Sequence, residues 1–343
     1  MVVSVDRMRA VQCQSFGPPD QLTVVDLPSP VPGPDEVVLT IRAAGVNFPD
    51  VLIIQDKYQF KPPLPFIPGG EVAGVVKVVG SGVTDLAVGD RVTAFALTGG
   101  FAEEMLVPAS ACQPIPAGMG DEQAAAFLMT YGTSYHALKD RARLVAGETL
   151  LVLGAAGGVG LAAVELGVAM GATVIAAVSS GAKADLCRRH GAAATLIYPT
   201  NPLDRDAQKA LSEQIKQVCA AVSARDGADV IYDPIGDDYA EPALRTIAWR
   251  GRYLVVGFAA GQIPRIPINL ALLKGCEIVG VFYGAFTTRQ ADDSARNLEE
   301  LAALAADGKV MPYISGRYPL DRVHDALNLM AARGATGKLV VVP

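Results

Sequence analysis

The sequence predicts an α/β protein in two parts, a mostly-β portion and a doubly wound portion built on a parallel sheet. Three observations predict it. Residues 1 to about 128 are rich in Val, Gly and Pro and carry short alternating runs between turn signals. From about 130 the texture changes to helix-length segments alternating with apolar runs of strand length, the pattern of a parallel α/β sheet. The length of 343 residues also exceeds what one ordinary core serves, which favours two domains.

In the first part, Glu36 to Arg42 and Gly74 to Val79 read as strands, and Gly89-Asp90 before Arg91 to Phe95 reads as a turn followed by a strand. In the second part, strands are expected near 149–154, 173–178, 194–198, 228–233, 252–257 and 276–282. Helices are expected between them at 158–170, 181–190, 203–224 and 238–248. Strands joined by crossover helices in this way make a doubly wound sheet. The tail adds helix-like segments from Thr288 to Ala306 and from Leu320 to Arg333, then a last strand from Gly337 to Val342. With no internal repeat and no low-complexity linker, the join between the parts must be short.

A formal charge of −6, with no basic run, argues against a partner recognised through its phosphate backbone, so no nucleic acid is expected. Five cysteines at 13, 112, 187, 219 and 276 are odd in number and widely spaced, the pattern of buried thiols in a reducing compartment. Met1 to Ala10 carries two arginines and no apolar stretch, so no secretory leader is read there. Leu150 to Val178 is long and apolar, but Glu165 and six glycines fit strand, turn and helix better than a membrane span. A cytoplasmic protein with no membrane partner is the default expectation.

The most informative segment runs from Thr149 to Leu161, an apolar strand passing through small residues into an Ala-rich helix. Glycines there let the backbone approach a pyrophosphate, and the N–H groups and dipole of the helix start favour the anion. Ala156, Gly157, Gly158 and Val159 are the residues expected against it. The spacing is not a strict GxGxxG, since Ala156 stands at the second glycine position. An ordinary tight turn is the alternative; the place of the segment at the start of the first βαβ unit favours a dinucleotide.

About nineteen residues after Gly160 the next strand ends in Val178 to Lys183, where an NAD enzyme usually places an acidic residue for the ribose hydroxyls. This chain has none there. Ser179 and Ser180 can donate to a phosphate and Lys183 can sit beside it as a compact positive charge, which fits the 2′-phosphate of NADPH. A helix N-cap for either serine and a solvated lysine are the alternatives. Tyr198 could flank the same phosphate or the adenine, or close the edge of the core. Asp233 to Gly236 and Val256 to Phe258, with Gly257 and Phe258, fall at further strand ends, where ligands of open α/β sheets bind; plain turns would read the same way.

Taken with Gly45 to Asp50, Pro68 to Val76, Asp85 to Val92 and Arg333 to Lys338, the glycine segment makes the chain resemble the zinc-free quinone oxidoreductase (zeta-crystallin-like) family of the medium-chain dehydrogenase/reductase superfamily. The resemblance covers essentially the full length. It implies a GroES-like, mostly-β catalytic domain from residues 1–129 and 272–343, and a doubly wound, NADPH-binding Rossmann domain from 130–271. It also implies dimers or tetramers paired through the last strand of the Rossmann sheet, Glu277 to Phe282, with a homodimer expected. By the same resemblance, Asn47, Thr133, Phe258, Phe282 and Arg333 contact cofactor or line the active cleft.

Zinc-dependent alcohol dehydrogenases of the superfamily carry a Cys where this chain has Asn47 and a His where it has Gly70. Catalytic zinc needs about three Cys, His or carboxylate ligands, and His136, His190 and His324 lie away from both positions. No bound metal is therefore expected. Without a Lewis acid, a substrate that delocalises the incoming charge itself is favoured, which points to a small-molecule quinone or α,β-unsaturated carbonyl reduced by hydride from NADPH.

Asn47 could orient the substrate carbonyl or the nicotinamide ribose, or serve an Asx turn beside Pro49. Tyr58 is the candidate proton donor, because related enoyl reductases carry a tyrosine in a similar stretch; anchoring the Pro-rich loop from Lys61 to Pro68 is its alternative role, and water is another proton source. Leu52 stands where many quinone reductases have a second tyrosine, which makes the pocket more apolar. A 2-enoyl thioester reductase shares these motifs, with Lys57 and Lys61 as the only hint of a phosphate-binding mouth. From another class, relatives that bind NADPH yet serve as structural, RNA-binding or vesicle-membrane proteins are disfavoured by the acidic charge.

Overall fold

The computed structural model describes residues 6–223 and 225–343. The first five residues of the stretch read for a leader, and position 224 at the end of one expected helix, lie outside them. The chain forms two compact units, one from the chain up to Met129 with Met311–Pro343, the other from Thr130–Val310.

The first unit is built on a seven-stranded sheet. Its order is Ile314–Pro319, Lys338–Val342, Glu36–Val46, Glu71–Val79, Arg91–Phe95 and Cys112–Pro114, with Glu104–Pro108 also pairing on Glu36–Val46. Apolar residues on Glu36–Val46 and Glu71–Val79 close over a core that includes Leu39, Val72, Val76, Phe101 and Leu339. Register then decides which polar residues meet: Val46 lies opposite Leu339, and Gly45 opposite Glu71. The residues just beyond these pairs, Asn47 and Lys338, are thereby made neighbours.

In the second unit the sheet is wholly parallel, in the order Ala194–Ile197, Thr173–Val178, Thr149–Leu153, Ala228–Asp233, Ile247–Val255, Glu277–Gly280. The chain runs outward from Thr149–Leu153 in one direction and resumes at Ala228–Asp233 in the other. The carboxyl ends of those two strands therefore flank the switch point where ligands of such sheets bind. Helix Gly158–Ala169 is apolar on nearly every side and is correspondingly buried, from Gly160 to Gly167. Helix Arg205–Val222 is instead amphipathic, turning Leu211, Ile215 and Cys219 to the core.

The expected strands and crossover helices appear in their expected order, with differences of physical origin. The fifth strand of the second unit begins at Ile247 rather than 252, because exposed Trp249 and Arg250, the latter at φ +62°, break its apolar pattern. The helix expected from Thr288 begins at Ala291, preceded by a separate helix, Tyr283–Arg289, and the strand expected to run to 282 ends at Gly280. The chain returns to the first unit at 311 rather than 272, since Glu277–Gly280 pairs with Ile247–Val255 and holds residues 272–310 in the second unit.

Candidate active site

In the second unit the fully buried strand Thr149–Leu153 ends at Gly154, with φ +59°. A Cβ there would meet Ile235 Cγ2 at 2.7 Å, so a residue without a side chain is what lets the two central strand ends approach. Gly157 follows as N-cap of helix Gly158–Ala169 and offers no side chain to the first-turn N–H groups, which every helix start leaves without intrahelical partners. Gly160 packs the helix onto the turn, for its Cβ would stand 2.3 Å from the Gly154 carbonyl oxygen. Around Gly157 there is room: an added Cβ would find only that same oxygen, at 3.4 Å. Outward donors with no side chain over them make a cradle that fits a diphosphate.

Neighbouring elements shape this cradle. Asp233, buried at the end of its strand, accepts from the N–H groups of Ile235 and Gly236 at 2.9 and 2.8 Å and from the Tyr253 hydroxyl. Burial holds its pKa above the ordinary carboxylate value. The turn so fixed packs under Phe258, whose ring would lie 2.9 Å from a Cβ on Gly236, while a Cβ on Gly257 would lie 3.2 Å from the Pro234 oxygen. Ser134, absent from the sequence-based site, donates to the Val159 carbonyl and accepts from the Tyr232 hydroxyl, each at 2.9 Å. Thr133, the preceding residue of the same helix, is half-buried.

At the next strand end the two readings of the serines divide between them. Ser180 is the N-cap of helix Gly181–Arg189, its hydroxyl accepting from the Lys183 N–H at 3.3 Å. Ser179 is exposed, and its hydroxyl accepts from Lys183 Nζ at 3.2 Å. Partial burial, which penalises the charged ammonium, lowers the Lys183 pKa. Tyr198 is buried with its ring tilted over Tyr239, centroids 4.8 Å apart. Phe282 is an exposed residue just ahead of helix Tyr283–Arg289. Among the described residues no hydrogen bond or ring contact ties its side chain to the glycine turn.

Asn47, Tyr58 and Arg333 belong to the first unit. Arg333 is exposed, at φ +58° in the turn before the last strand. Asn47 is buried and caps helix Phe48–Ile53; its backbone N–H donates to Asp50 Oδ2 at 2.7 Å, so the local turn beside Pro49 is closed by the Asp50 carboxylate and not by an Asx turn of the Asn47 side chain. Its side chain does something else. The amide donates from Nδ2 to Glu71 Oε2 at 2.9 Å, and its oxygen accepts from Lys338 Nζ at 2.6 Å. Glu71 also accepts the Met129 N–H on Oε1 at 2.9 Å.

Of this cluster, Asn47 and Met129 line a small hollow, together with Asp50, Ile53, Gly70 and Phe95 among others, while Glu71 and Lys338 lie behind Asn47. Desolvation there pushes the Asp50 carboxyl up to about 7, against the opposing pull of the Asn47 N–H and Lys338. Tyr58 is half-buried against the same core but is not part of the hollow's lining. Burial, then the charge of Asp50, raises its pKa, so at neutral pH it holds its proton. Gly70 leaves no space for a ligand side chain, since a Cβ would stand 2.3 Å from the Ala96 oxygen.

Comparison with known proteins agrees with this architecture. Residues 33–117 match the alcohol dehydrogenase GroES-like domain family, and residues 158–303 match the zinc-binding dehydrogenase family. A quinone oxidoreductase-like protein 2 homolog from Nematostella vectensis is 38% identical over 340 residues, covering 97% of this chain and 88% of that one. The structure of a probable oxidoreductase from Mycobacterium abscessus is 38% identical with a TM-score of 0.85, covering 99% of this chain and all, 100%, of that one. A mycobacterial protein complexed with NADPH is 30% identical with a TM-score of 0.88, covering 98% and 100%. With Asn47 and Gly70 at the two positions where zinc enzymes of the superfamily place Cys and His, the chain belongs to the zinc-free, quinone oxidoreductase-like family of the medium-chain dehydrogenase/reductase superfamily.

Proposed function

We propose that this protein is an NADPH-dependent reductase that delivers hydride to a quinone or an α,β-unsaturated carbonyl without a metal. The observation that carries the reading is the pairing of the side-chain-free turn at Gly154 to Gly160 with Ser179 and Lys183 at the next strand end. The first accepts the diphosphate. The second offers a hydroxyl and an ammonium, and no carboxylate, to the 2′-phosphate. When bound, the cofactor supplies the hydride.

The residues of the chain supply position and electrostatics. Val159 and the first-turn N–H groups hold the diphosphate, with Thr133 beside them. In the first unit, Asn47 donates a hydrogen bond to the carbonyl oxygen on which negative charge grows. The product then needs one proton, from Tyr58 or from water; Tyr58 keeps its proton at neutral pH, so it does not act as base, while its raised pKa makes it a weaker acid than an ordinary tyrosine.

The thioester alternative loses its hint, because Lys61 pairs with Asp56 at 2.9 Å and Lys57 donates to Gln55 at 2.8 Å. A homodimer is part of the reading. Glu277–Gly280 is an edge strand with one neighbour, and apolar side chains cluster in sequence around it: Trp249 is 65% exposed, Leu272 79% and Leu273 66%. A soluble monomer seldom leaves such residues uncovered. No helix among the described residues is long and apolar enough to cross a membrane.

The test is oxidation of NADPH and of NADH with 9,10-phenanthrenequinone and with crotonyl-CoA, before and after exhaustive chelation. NADPH-driven quinone turnover indifferent to chelation supports the reading. Strong preference for NADH, or a stoichiometric zinc required for turnover, overturns it. NADPH binding with no turnover of any quinone or enone would favour a non-catalytic role.

A further inference from the structure

Lys338 and Glu71 are buried more deeply than charged side chains ordinarily are, at 3% and 0% exposed, and the segments that contain them, read as sequence, give neither a role. Their ammonium and carboxylate lie 3.4 Å apart, and both bond the Asn47 side chain. Sheet register makes this meeting obligatory, since the pairs Val46–Leu339 and Gly45–Glu71 bring the last strand and Glu71–Val79 to opposite sides of the chain leading into Asn47.

The chemistry of the partners fixes the amide. An ammonium only donates, so it must face the Asn47 oxygen; a carboxylate only accepts, so it must face the nitrogen. Turning the amide over would set like against like at both ends. Glu71 takes one of the two N–H groups, and among the described residues no acceptor meets the second. Asn47 itself lines the hollow. Behind its oxygen stands a buried positive charge, which draws electron density from the amide and strengthens the remaining N–H as a donor.

We propose that Lys338 and Glu71 are positioning residues for reduction: they lock and polarise the Asn47 amide so that its second N–H meets the carbonyl oxygen of the substrate in the hollow. A buried cation acting through an amide thus stabilises the oxyanion, where zinc-dependent relatives would place a metal. The proposal rests on the reductase reading above, and Asp50, which also lines the hollow, accepts the backbone N–H of Asn47 rather than the amide.

A double-mutant cycle tests it, with NADPH and 9,10-phenanthrenequinone and with urea unfolding of every variant. Asn47→Leu is expected to lower kcat roughly 100-fold and Lys338→Met roughly tenfold or more, with KM changed less. In the Asn47→Leu background, Lys338→Met should lower kcat no further, although its effect on stability persists. An equal kcat loss in both backgrounds, or full kcat in Lys338→Met, overturns the proposal. Should Lys338→Met fail to fold, Glu71→Gln serves in its place, because Asn47 and Met129 donate to different oxygens of Glu71 and glutamine replaces one of these with an NH2 that cannot accept. If the wild type reduces no quinone or enone, the reductase reading fails by itself. The lock is then judged by amide NMR, with the Asn47 resonance assigned as the one missing in Asn47→Leu. Slowed exchange of these side-chain protons in the wild type, speeded roughly tenfold or more in Lys338→Met or Glu71→Gln, upholds it, and indifference to both changes refutes it.

Discussion

The cofactor cradle makes a prediction in which two glycines three residues apart behave oppositely. Gly157 sits at φ −79° and ψ 173°, a conformation open to any residue, and its missing Cβ would touch only the Gly154 oxygen, at 3.4 Å. Gly157→Ala should therefore leave the fold almost unchanged. The gain from a stiffer unfolded chain, about 0.4–1 kcal/mol, is offset by alanine's poorer fitness at an N-cap, a few tenths of a kcal/mol or more. The new methyl group points where the diphosphate must lie. A loss of roughly tenfold to 100-fold in NADPH affinity follows, at about 1.4 kcal/mol per factor of ten.

Gly160→Ala drives a methyl to 2.3 Å from the Gly154 oxygen and 2.9 Å from Ala155 Cα, both backbone atoms that cannot rotate away. It should cost about 1–3 kcal/mol of stability by overpacking and weaken binding only through the distorted turn. The assays are urea unfolding followed by circular dichroism, and titration of NADPH fluorescence. If Gly157→Ala binds NADPH like the wild type, or loses as much stability as Gly160→Ala, the cradle assignment is wrong.

The remaining predictions concern separate parts of the molecule. Ser179→Asp should reverse the cofactor preference, raising the Kd for NADPH roughly tenfold while NADH is bound at least as well; unchanged selectivity would remove Ser179 from the 2′-phosphate site. Asp50, raised from 3.8 to about 7 by burial, holds its proton more tightly folded than unfolded, so its contribution is fully present below pH about 4 and is lost as pH rises through 7. Asp50→Asn should therefore become progressively more stable than the wild type between those limits, by up to about 4 kcal/mol; a difference independent of pH in urea melts refutes the assignment. Leu272→Asp combined with Ile278→Lys should convert a dimer to a monomer in sedimentation equilibrium, and an unaltered mass would clear this edge of any role in assembly.

Much of the second unit could be read directly from the sequence because each of its signals is local. The strand Thr149–Leu153 is apolar throughout, helix Gly158–Ala169 begins where glycines cluster, and Ser180 is followed by a helix it caps. Local signals fail where a strand carries exposed residues, as at Trp249 and Arg250, and where the return between units is not marked by composition. Residues 272–310 contain a helix-like pattern that suits either unit. Only the pairing of Glu277–Gly280 on Ile247–Val255 decides, and pairing is a property of two distant segments.

The same distinction explains which site residues could be found. Asn47 was accessible as part of a motif, but what makes it useful as a donor lies 24 residues away at Glu71 and 291 away at Lys338. In the sequence Lys338 is simply a lysine near the start of the last strand, and Glu71 a glutamate shortly before the strand at Gly74 to Val79. Neither has a chemical signature until antiparallel register sets them on either side of one amide. Burial then changes the chemistry of all three: an ammonium and a carboxylate removed from water are tolerated only when bonded, and an amide between them has a single orientation. On the proposed reading, the charge that helps to stabilise an oxyanion in this chain lies in the core of the sheet, where it is specified by strand pairing rather than by a ligand motif.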